Sequence, residues 1–295
     1  MPELPEVQTI VDDLNKKIIG RRITGVWFDW GKTIKKPKPK EFEKQIKGLK
    51  IAEIKRRGKN ILIYLINPKS KIINLLLIHQ KMTGHLLYGK WRIANNKAIP
   101  LINGRLEEKV NGYIHLIFYL DNSRQLALSD LRKFAKVLFG LKEEIENMPD
   151  LAEIGPEPLD KNFTFEKFKN AIAGKKGKIK QILMDQEVIA GIGNIYSDEI
   201  LWATKIHPLK PANELTANKL KNIYLATKKI LKYALKLRGT SISDFRDTGG
   251  KPGFYAEKRL VYQRENEPCK RCKTKIKRIK IGGRSAHFCP ACQKL

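Results

Sequence analysis

All four cysteines of the chain lie near its C-terminus, as CKRC (Cys269 and Cys272) and CPAC (Cys289 and Cys292). The spacing is C-x2-C-x16-C-x2-C. Each two-residue knuckle puts a pair of thiolates on one side of the chain. Two knuckles make a four-sulfur tetrahedral cage, the favoured geometry of a structural zinc ion. No ligand position is left open, so one zinc ion is expected to hold structure and do no chemistry. The pattern forces two distant points of the chain to meet. The stretch between them, KTKIKRIKIGGRSAHF, then reads as two strands joined by Gly-Gly, with Arg284 near the tip. A cationic β-ribbon of this kind suits a DNA groove; the plainer reading is a zinc clip that closes the C-terminus.

Charge narrows the choice of partner. The 59 Lys and Arg against 30 Asp and Glu give a net charge of +29, spread along the chain. Such an excess favours a polyanion, whose released counterions drive binding. At 295 residues and 42% hydrophobic content, the chain has enough material for two domains and a sizeable core. It shows no basic-then-apolar leader, and runs such as INLLLIH are too short for a bilayer, which needs about 20 residues. These features lead us to expect a cytoplasmic protein without membrane association.

The texture of the sequence changes twice. Val7, Ile10, Val11, Leu14 and Ile18 recur at helical spacing and predict a helix over 5–19, with Gly20 as its stop. Short β-branched or alternating runs follow, including RITGVWFDW, NILIYLI, KIINLLLIH and YIHLIFYLD, and suggest a β-sandwich. EIGPEPLDKNFT reads as a linker. Beyond it FTFEKFKNAIA, KIKQILMDQ, NIYSDEILWATK and ELTANKLKNIYLATKKILKYALKL are helical, and RDTGGKPGFYAEK has the composition of a mobile loop. The expected class is α+β. The helix and sandwich occupy 1–150, the linker and helical domain 151–257, and the zinc finger 258–295.

KIKQILMDQEVIAGIGNIYSDEILWA has the form helix, glycine turn, helix. Asn194 opens the second helix, where free N–H groups and the positive dipole end suit a phosphate. Lys178 and Lys180 on the preceding helix are placed to reach the same anion. Asn194 is equally well read as a simple N-cap.

The beginning of the chain, MPELPE, is the remaining oddity. Removal of Met1 would expose the ring nitrogen of Pro2 as a secondary amine. Proline followed by first-turn glutamates also describes an ordinary helix start.

These features, taken in order, resemble the formamidopyrimidine-DNA glycosylase family, bacterial base-excision enzymes for oxidised purines. The matching stretches are MPELPEV, RRGKNILI (56–63), HQKMTGHL (79–86), SDLRKF (129–134), GPEPL (155–159), KIKQILMD (178–185), GIGNIYSDE (191–199), DTGGKPGFYA (247–256) and the zinc ribbon. The resemblance runs nearly end to end. It implies an N-terminal helix with a β-sandwich, a helix–two-turn–helix domain and a C-terminal zinc finger. It also implies a monomeric, nucleoid-associated bacterial enzyme that excises the base from double-stranded DNA and then cuts the strand.

The resemblance makes Pro2 the nucleophile. A secondary amine condensed with a sugar aldehyde has no N–H to lose and stays a cationic iminium, an electron sink that acidifies C2′. An α-amino group ordinarily titrates at about 7.7–8, so a neutral fraction exists near neutral pH. Glu3 is then the proton shuttle, Glu6 holds the N-terminal segment, and Lys59 makes phosphate and lesion contacts. Lys180 matches the family's helical lysine, Asn194 with Tyr196 its phosphate-binding turn, and Arg284 its zinc-finger arginine. Met82, Arg132 and Phe134 match the side chains that fill the void when a base is flipped out. Two departures bear on the geometry of these loops. Gln80-Lys81 stands where a small or apolar pair is common, and Ala135 where glycine is usual. The sister family endonuclease VIII, with the same amine chemistry on oxidised pyrimidines, is the nearest alternative. A non-catalytic DNA-binding zinc protein and an RNA-binding zinc-ribbon protein are the others.

Overall fold

Val7, Ile10, Val11, Leu14 and Ile18 form one face of the first helix, α1 (Leu4–Ile18), and all five are buried. Burying such side chains is worth roughly 1.5–3 kcal/mol each. The helix starts with a capping box in which the Glu3 side chain accepts from the Glu6 N–H and the Glu6 side chain accepts from the Glu3 N–H. It ends just before Gly20, whose φ of +80° lets the chain turn away.

The computed structural model describes residues 1–242 and 244–295. They form two units, Met1–Ala152 with Leu237–Phe254, and Glu153–Lys236 with Tyr255–Leu295.

In the first unit, α1 is followed by β1 (Ile23–Phe28), β2 (Ile34–Lys36), α2 (Pro39–Ile46), β3 (Lys50–Arg57), β4 (Asn60–Ile66), β5 (Ile73–His79), β6 (His85–Gly89), β7 (Trp91–Ala94) and β8 (Lys97–Pro100). Then come β9 (Ile114–Leu120), β10 (Gln125–Ser129), β11 (Lys136–Leu141), α3 (Lys142–Glu146) and α4 (Pro149–Ala152). The strands make a four-stranded sheet, β1-β9-β10-β6, and a five-stranded sheet, β2-β11-β5-β4-β3. Alternation along each strand sends Leu116, Phe118, Leu126 and Leu128 from the first sheet and Ile61, Ile63, Leu76, Ile78 and Phe139 from the second into one core with α1. Phe42 of α2 joins the sheets, meeting Phe118 and Phe139 edge-on at 6.2 and 5.7 Å.

Residues 237–254, which composition groups with the helical domain, belong to this first unit. The reason is a set of polar anchors. Arg238 donates to Asp13 Oδ2 and Asp247 Oδ2, both at 2.7 Å, and Thr248 Oγ1 donates to Asp13 Oδ2 at 2.9 Å. The expected mobile loop is tied down: Asp247 Oδ1 accepts from the N–H groups of Gly249 and Lys251. Thr240 N–H donates to Glu6 Oε1 at 2.6 Å, so Glu6 spans the capping box and this segment. Gly239, beside it, has a φ of +81°, and a Cβ there would lie 2.7 Å from Glu6 Oε1. Gly239→Ala is therefore expected to destabilise the protein by roughly 1–3 kcal/mol. Gly48, with a φ of +87° and no atom within 4 Å of the added Cβ, isolates the backbone cost. Equal shifts of the denaturation midpoint for Gly239→Ala and Gly48→Ala would refute the packing argument.

The second unit contains α5 (Phe165–Ile172), α6 (Ile179–Met184), α7 (Asn194–Ala203), the long α8 (Ala217–Lys236), and the antiparallel pair β12 (Lys277–Ile281) and β13 (Arg284–Phe288). Helix α7 is buried from Tyr196 to Trp202, so its acidic residues need internal partners. No helix among the described residues is long and apolar enough to cross a membrane.

Candidate active site and nucleic-acid interface

The amino-terminal segment lies inside the first unit. Pro2 is buried, and Glu3 is 2% exposed at the N-cap of α1. With Met1 in place, the Pro2 nitrogen is an amide and has no nucleophilic lone pair. The Met1 amine stands in for the amine that processing would create one residue on. Its pKa is lowered, chiefly by burial. The Glu3, Glu6 and Asp244 carboxylates oppose that shift, and the Lys59 ammonium adds to it. Lys59, itself 5% exposed, follows Gly58 in the tight β3–β4 hairpin. Gly58 has a φ of +57°, which suits the first central position of a II′ turn. The structure thus brings Pro2, Glu3 and Lys59 together.

His79, absent from the sequence expectations, ends β5 opposite Asn60. Burial, with Lys81 and Lys59 adding to it, pushes its pKa down to about 3. The ring is neutral, and its Nδ1 accepts from the Lys81 N–H at 2.9 Å. It supports the turn that leads to Met82. Asp244 was also missed. Nothing in its local sequence marks it, because only the return of 237–254 to α1 places it near the amino terminus.

Met82, Arg132 and Phe134 sit on two loops. Met82 lies in the β5–β6 connection and is half-buried. Arg132 and Phe134 lie in the β10–β11 connection, where Phe134 is 52% exposed. The Arg132 guanidinium stacks 4.6 Å from the Phe134 ring centre. Between them in sequence, Lys133 has its Nζ 4.6 Å from the Trp30 ring centre. A large exposed aromatic carrying an arginine on its face is apolar surface that the sandwich core does not use.

In the second unit the expected phosphate-binding residues divide. Asn194 is half-buried at the start of α7, its Nδ2 donating to the Tyr262 hydroxyl at 3.5 Å. Arg284 is exposed at the ribbon tip, after Gly282 and Gly283 with φ of +53° and +76°. Lys180 and Tyr196, expected at the same surface, are wholly buried. Lys180 Nζ donates to Asp198 Oδ1 at 2.5 Å and Ser197 Oγ at 3.2 Å, so the ammonium is neutralised within the fold. The Tyr196 ring packs 5.4 Å from that of Tyr255.

Two carboxylates of GIGNIYSDE were not singled out by the sequence reading. Asp198 Oδ2 accepts from the His287 N–H at 2.9 Å and its Nδ1 at 3.1 Å, linking α7 to the ribbon. Glu199 accepts from the N–H groups of Leu260, Val261 and Tyr262. Burial raises its pKa against the effect of those donors. The available signal was an Asp-Glu pair in an otherwise apolar helix, which burial obliges to find partners.

The four cysteine sulfurs lie within 4.8 Å of one another. A tetrahedron with Zn–S bonds of about 2.3 Å has edges of about 3.8 Å, so the cluster fits one zinc ion held by Cys269, Cys272, Cys289 and Cys292. Trp202 Nε1 donates to Cys269 Sγ at 3.3 Å, a second shell of the kind that tunes such sites.

Comparison with known proteins agrees with this geometry. The sequence models of the formamidopyrimidine-DNA glycosylase N-terminal domain and its H2TH domain match residues 1–137 and 154–246. That of the zinc finger found in FPG and IleRS matches 266–295. Formamidopyrimidine-DNA glycosylase of Pelotomaculum thermopropionicum is 37% identical over 100% of both chains. That of Desulforamulus reducens is 38% identical over 100% of this chain and 99% of its own. Among solved structures, Lactococcus lactis Fpg in complex with an abasic-site DNA superposes with a TM-score of 0.86 at 30% identity, covering 99% of this chain and 100% of that one. MutM in complex with a DNA containing carbocyclic 8-oxo-G gives 0.85 at 31%, covering 100% of each chain. Matched in all three of its segments and along its whole length, the chain belongs to the formamidopyrimidine-DNA glycosylase family.

Proposed function

We propose that this chain excises oxidised purines, 8-oxoguanine and formamidopyrimidines, from duplex DNA and cleaves the strand at the resulting abasic site, as a step of base excision repair. The observation that carries the reading is the amino-terminal segment, in which Pro2 and Glu3 are buried and the terminal amine, beside Glu3 and Lys59, is biased toward the neutral form.

Once Met1 is removed, the Pro2 nitrogen attacks C1′. The N–C1′ bond forms, the amine sheds its proton, and the glycosidic bond breaks with its electron pair leaving on the base, which takes up a proton in exchange. Glu3 protonates the ring oxygen, the sugar opens, and the adduct becomes an iminium. Loss of the C2′ proton sends electrons toward the iminium and expels the 3′ phosphate; a second elimination expels the 5′ phosphate. Lys59 contacts the phosphate and the lesion. Met82, Arg132 and Phe134 occupy the void left by the flipped nucleotide, with Arg132 facing the orphan base. Asn194 and Arg284 hold phosphates, while Lys180 and Tyr196 support the Asn194 turn from within the fold. The zinc ion fixes the ribbon. The enzyme acts as a monomer on chromosomal DNA, in the bacterial cytoplasm and at the nucleoid.

The test is competition between lesions. Processed protein is expected to excise 8-oxoguanine opposite cytosine at least about tenfold faster than an oxidised pyrimidine, the scale at which groups in a pocket discriminate. The reverse order would move the substrate to oxidised pyrimidines. Excision of neither by protein sequenced from Pro2 would leave only DNA binding.

A further inference from the structure

The Met82 loop and the Arg132–Phe134 loop are far apart in sequence yet run side by side. Strand β5 of the five-stranded sheet leads through the first loop into β6 of the four-stranded sheet, and β10 leads back through the second loop into β11. The flanking residues are paired on both sides: His79 with Lys136, and His85 with Ser129. Both loops therefore turn the same corner of the sandwich in opposite directions.

Between them lies one buried carboxylate. Asp130 is 2% exposed and Thr83 is 7% exposed. Thr83 Oγ1 donates to Asp130 Oδ1 across 47 residues of sequence. The Arg132 N–H donates to Thr83 Oγ1 at 3.2 Å and to Asp130 Oδ1 at 3.3 Å, and the Ala135 N–H donates to Asp130 Oδ2 at 2.7 Å. The carboxylate thus takes donors from both loops, immediately beside each void-filling residue.

The loops have little slack of their own. A Cβ on Gly84 would lie 2.4 Å from the Gln80 carbonyl oxygen, so the first turn is as tight as the chain allows. Each loop also holds a lysine in the left-handed region, Lys81 at φ +54° and Lys133 at +57°. Such residues keep that conformation when their surroundings fix it.

We propose that Thr83 and Asp130 form a clasp that joins the two loops into one wedge and so positions Met82, Arg132 and Phe134 for base extrusion. The proposal rests on the void-filling roles given above. Thr83 and Asp130 are positioning residues: neither is assigned a contact with DNA. The clasp matters most when a stacked base has to be expelled, and least where no base is present to expel.

The test compares two reactions of the full-length, zinc-loaded protein with Met1 removed. Thr83→Val keeps the side-chain shape and removes the hydroxyl; Thr83→Ser keeps the hydroxyl. Single-turnover excision of 8-oxoguanine is expected to fall about tenfold in Thr83→Val, the loss attending one hydrogen bond to a charged acceptor. Strand cleavage at a preformed abasic site should stay within about twofold of the parent, and Thr83→Ser should restore excision. Equal loss in both reactions would overturn the clasp in favour of a general folding role. Phe134→Ala separates the two readings. If it slows excision and Thr83→Val does not, the clasp alone is wrong. If Phe134→Ala leaves excision unchanged, the void-filling assignment fails and takes the clasp's role with it.

Discussion

Protein that retains Met1 is expected to form far less borohydride-stable adduct with abasic-site DNA than protein sequenced from Pro2. The argument is electronic. While Met1 is attached, the Pro2 nitrogen shares its lone pair with the Met1 carbonyl and cannot attack a sugar carbon. The Met1 amine cannot substitute fully. It is primary, so its adduct can lose a proton to a neutral imine and is a weaker electron sink than the proline iminium. It also lies one residue farther along the chain from Glu3 than the Pro2 nitrogen does. Strand cleavage should fall on the order of 10³-fold or more, the scale on which removing a nucleophile acts. Duplex binding should change by less than about threefold, because retaining Met1 removes none of the cationic side chains that contact phosphates. Loss of both binding and cleavage would point to misfolding. An equal adduct yield from the Met1-bearing chain would sink the assignment of Pro2 as nucleophile.

Much of this architecture was legible in the residues. The spacing of Val7, Ile10, Val11, Leu14 and Ile18 gave α1 to within a residue at each end, because an amphipathic helix has one periodicity and one buried face. The cysteine spacing located the ribbon, since four thiolates around one ion leave little choice of path. What stayed hidden was pairing across long separations. Periodicity shows that a face is buried but not what covers it. The Arg238–Asp13 contact spans 225 residues and returns 237–254 to α1, yet neither residue looks unusual locally. Lys180 misled for a related reason. A lysine in a basic protein reads as surface charge, and only the position of Asp198 on the following helix shows that this one is internal. Asp130, within SDLRKF, carries no local mark of its partners, because a carboxylate beside a serine and ahead of a turn looks like an ordinary turn former.

The zinc ion is expected to decide whether the protein grips DNA at all. Structural zinc in small fingers contributes on the order of 10–16 kcal/mol of apparent binding energy, and apo fingers unfold. Two strands of five residues each, β12 and β13, have no independent stability without it. Their collapse would release Arg284 from the ribbon tip and break the His287–Asp198 contacts that join the ribbon to α7. Chelation, or Cys272→Ser, should therefore weaken duplex binding by roughly a hundredfold, with the loss greatest at low salt, where phosphate contacts count most. Trp202 provides an internal reporter, since its indole N–H meets Cys269 Sγ and the Arg271 guanidinium lies 4.1 Å from its ring centre. Its emission should shift as zinc leaves, and Trp202→Phe should abolish the shift while the other three of the four tryptophans remain. Metal analysis should give one zinc per chain before chelation. If zinc leaves, the Trp202 signal moves and duplex affinity is unchanged, the ribbon closes the C-terminus without holding DNA, and phosphate binding falls to the Asn194 turn and the loops of the first unit.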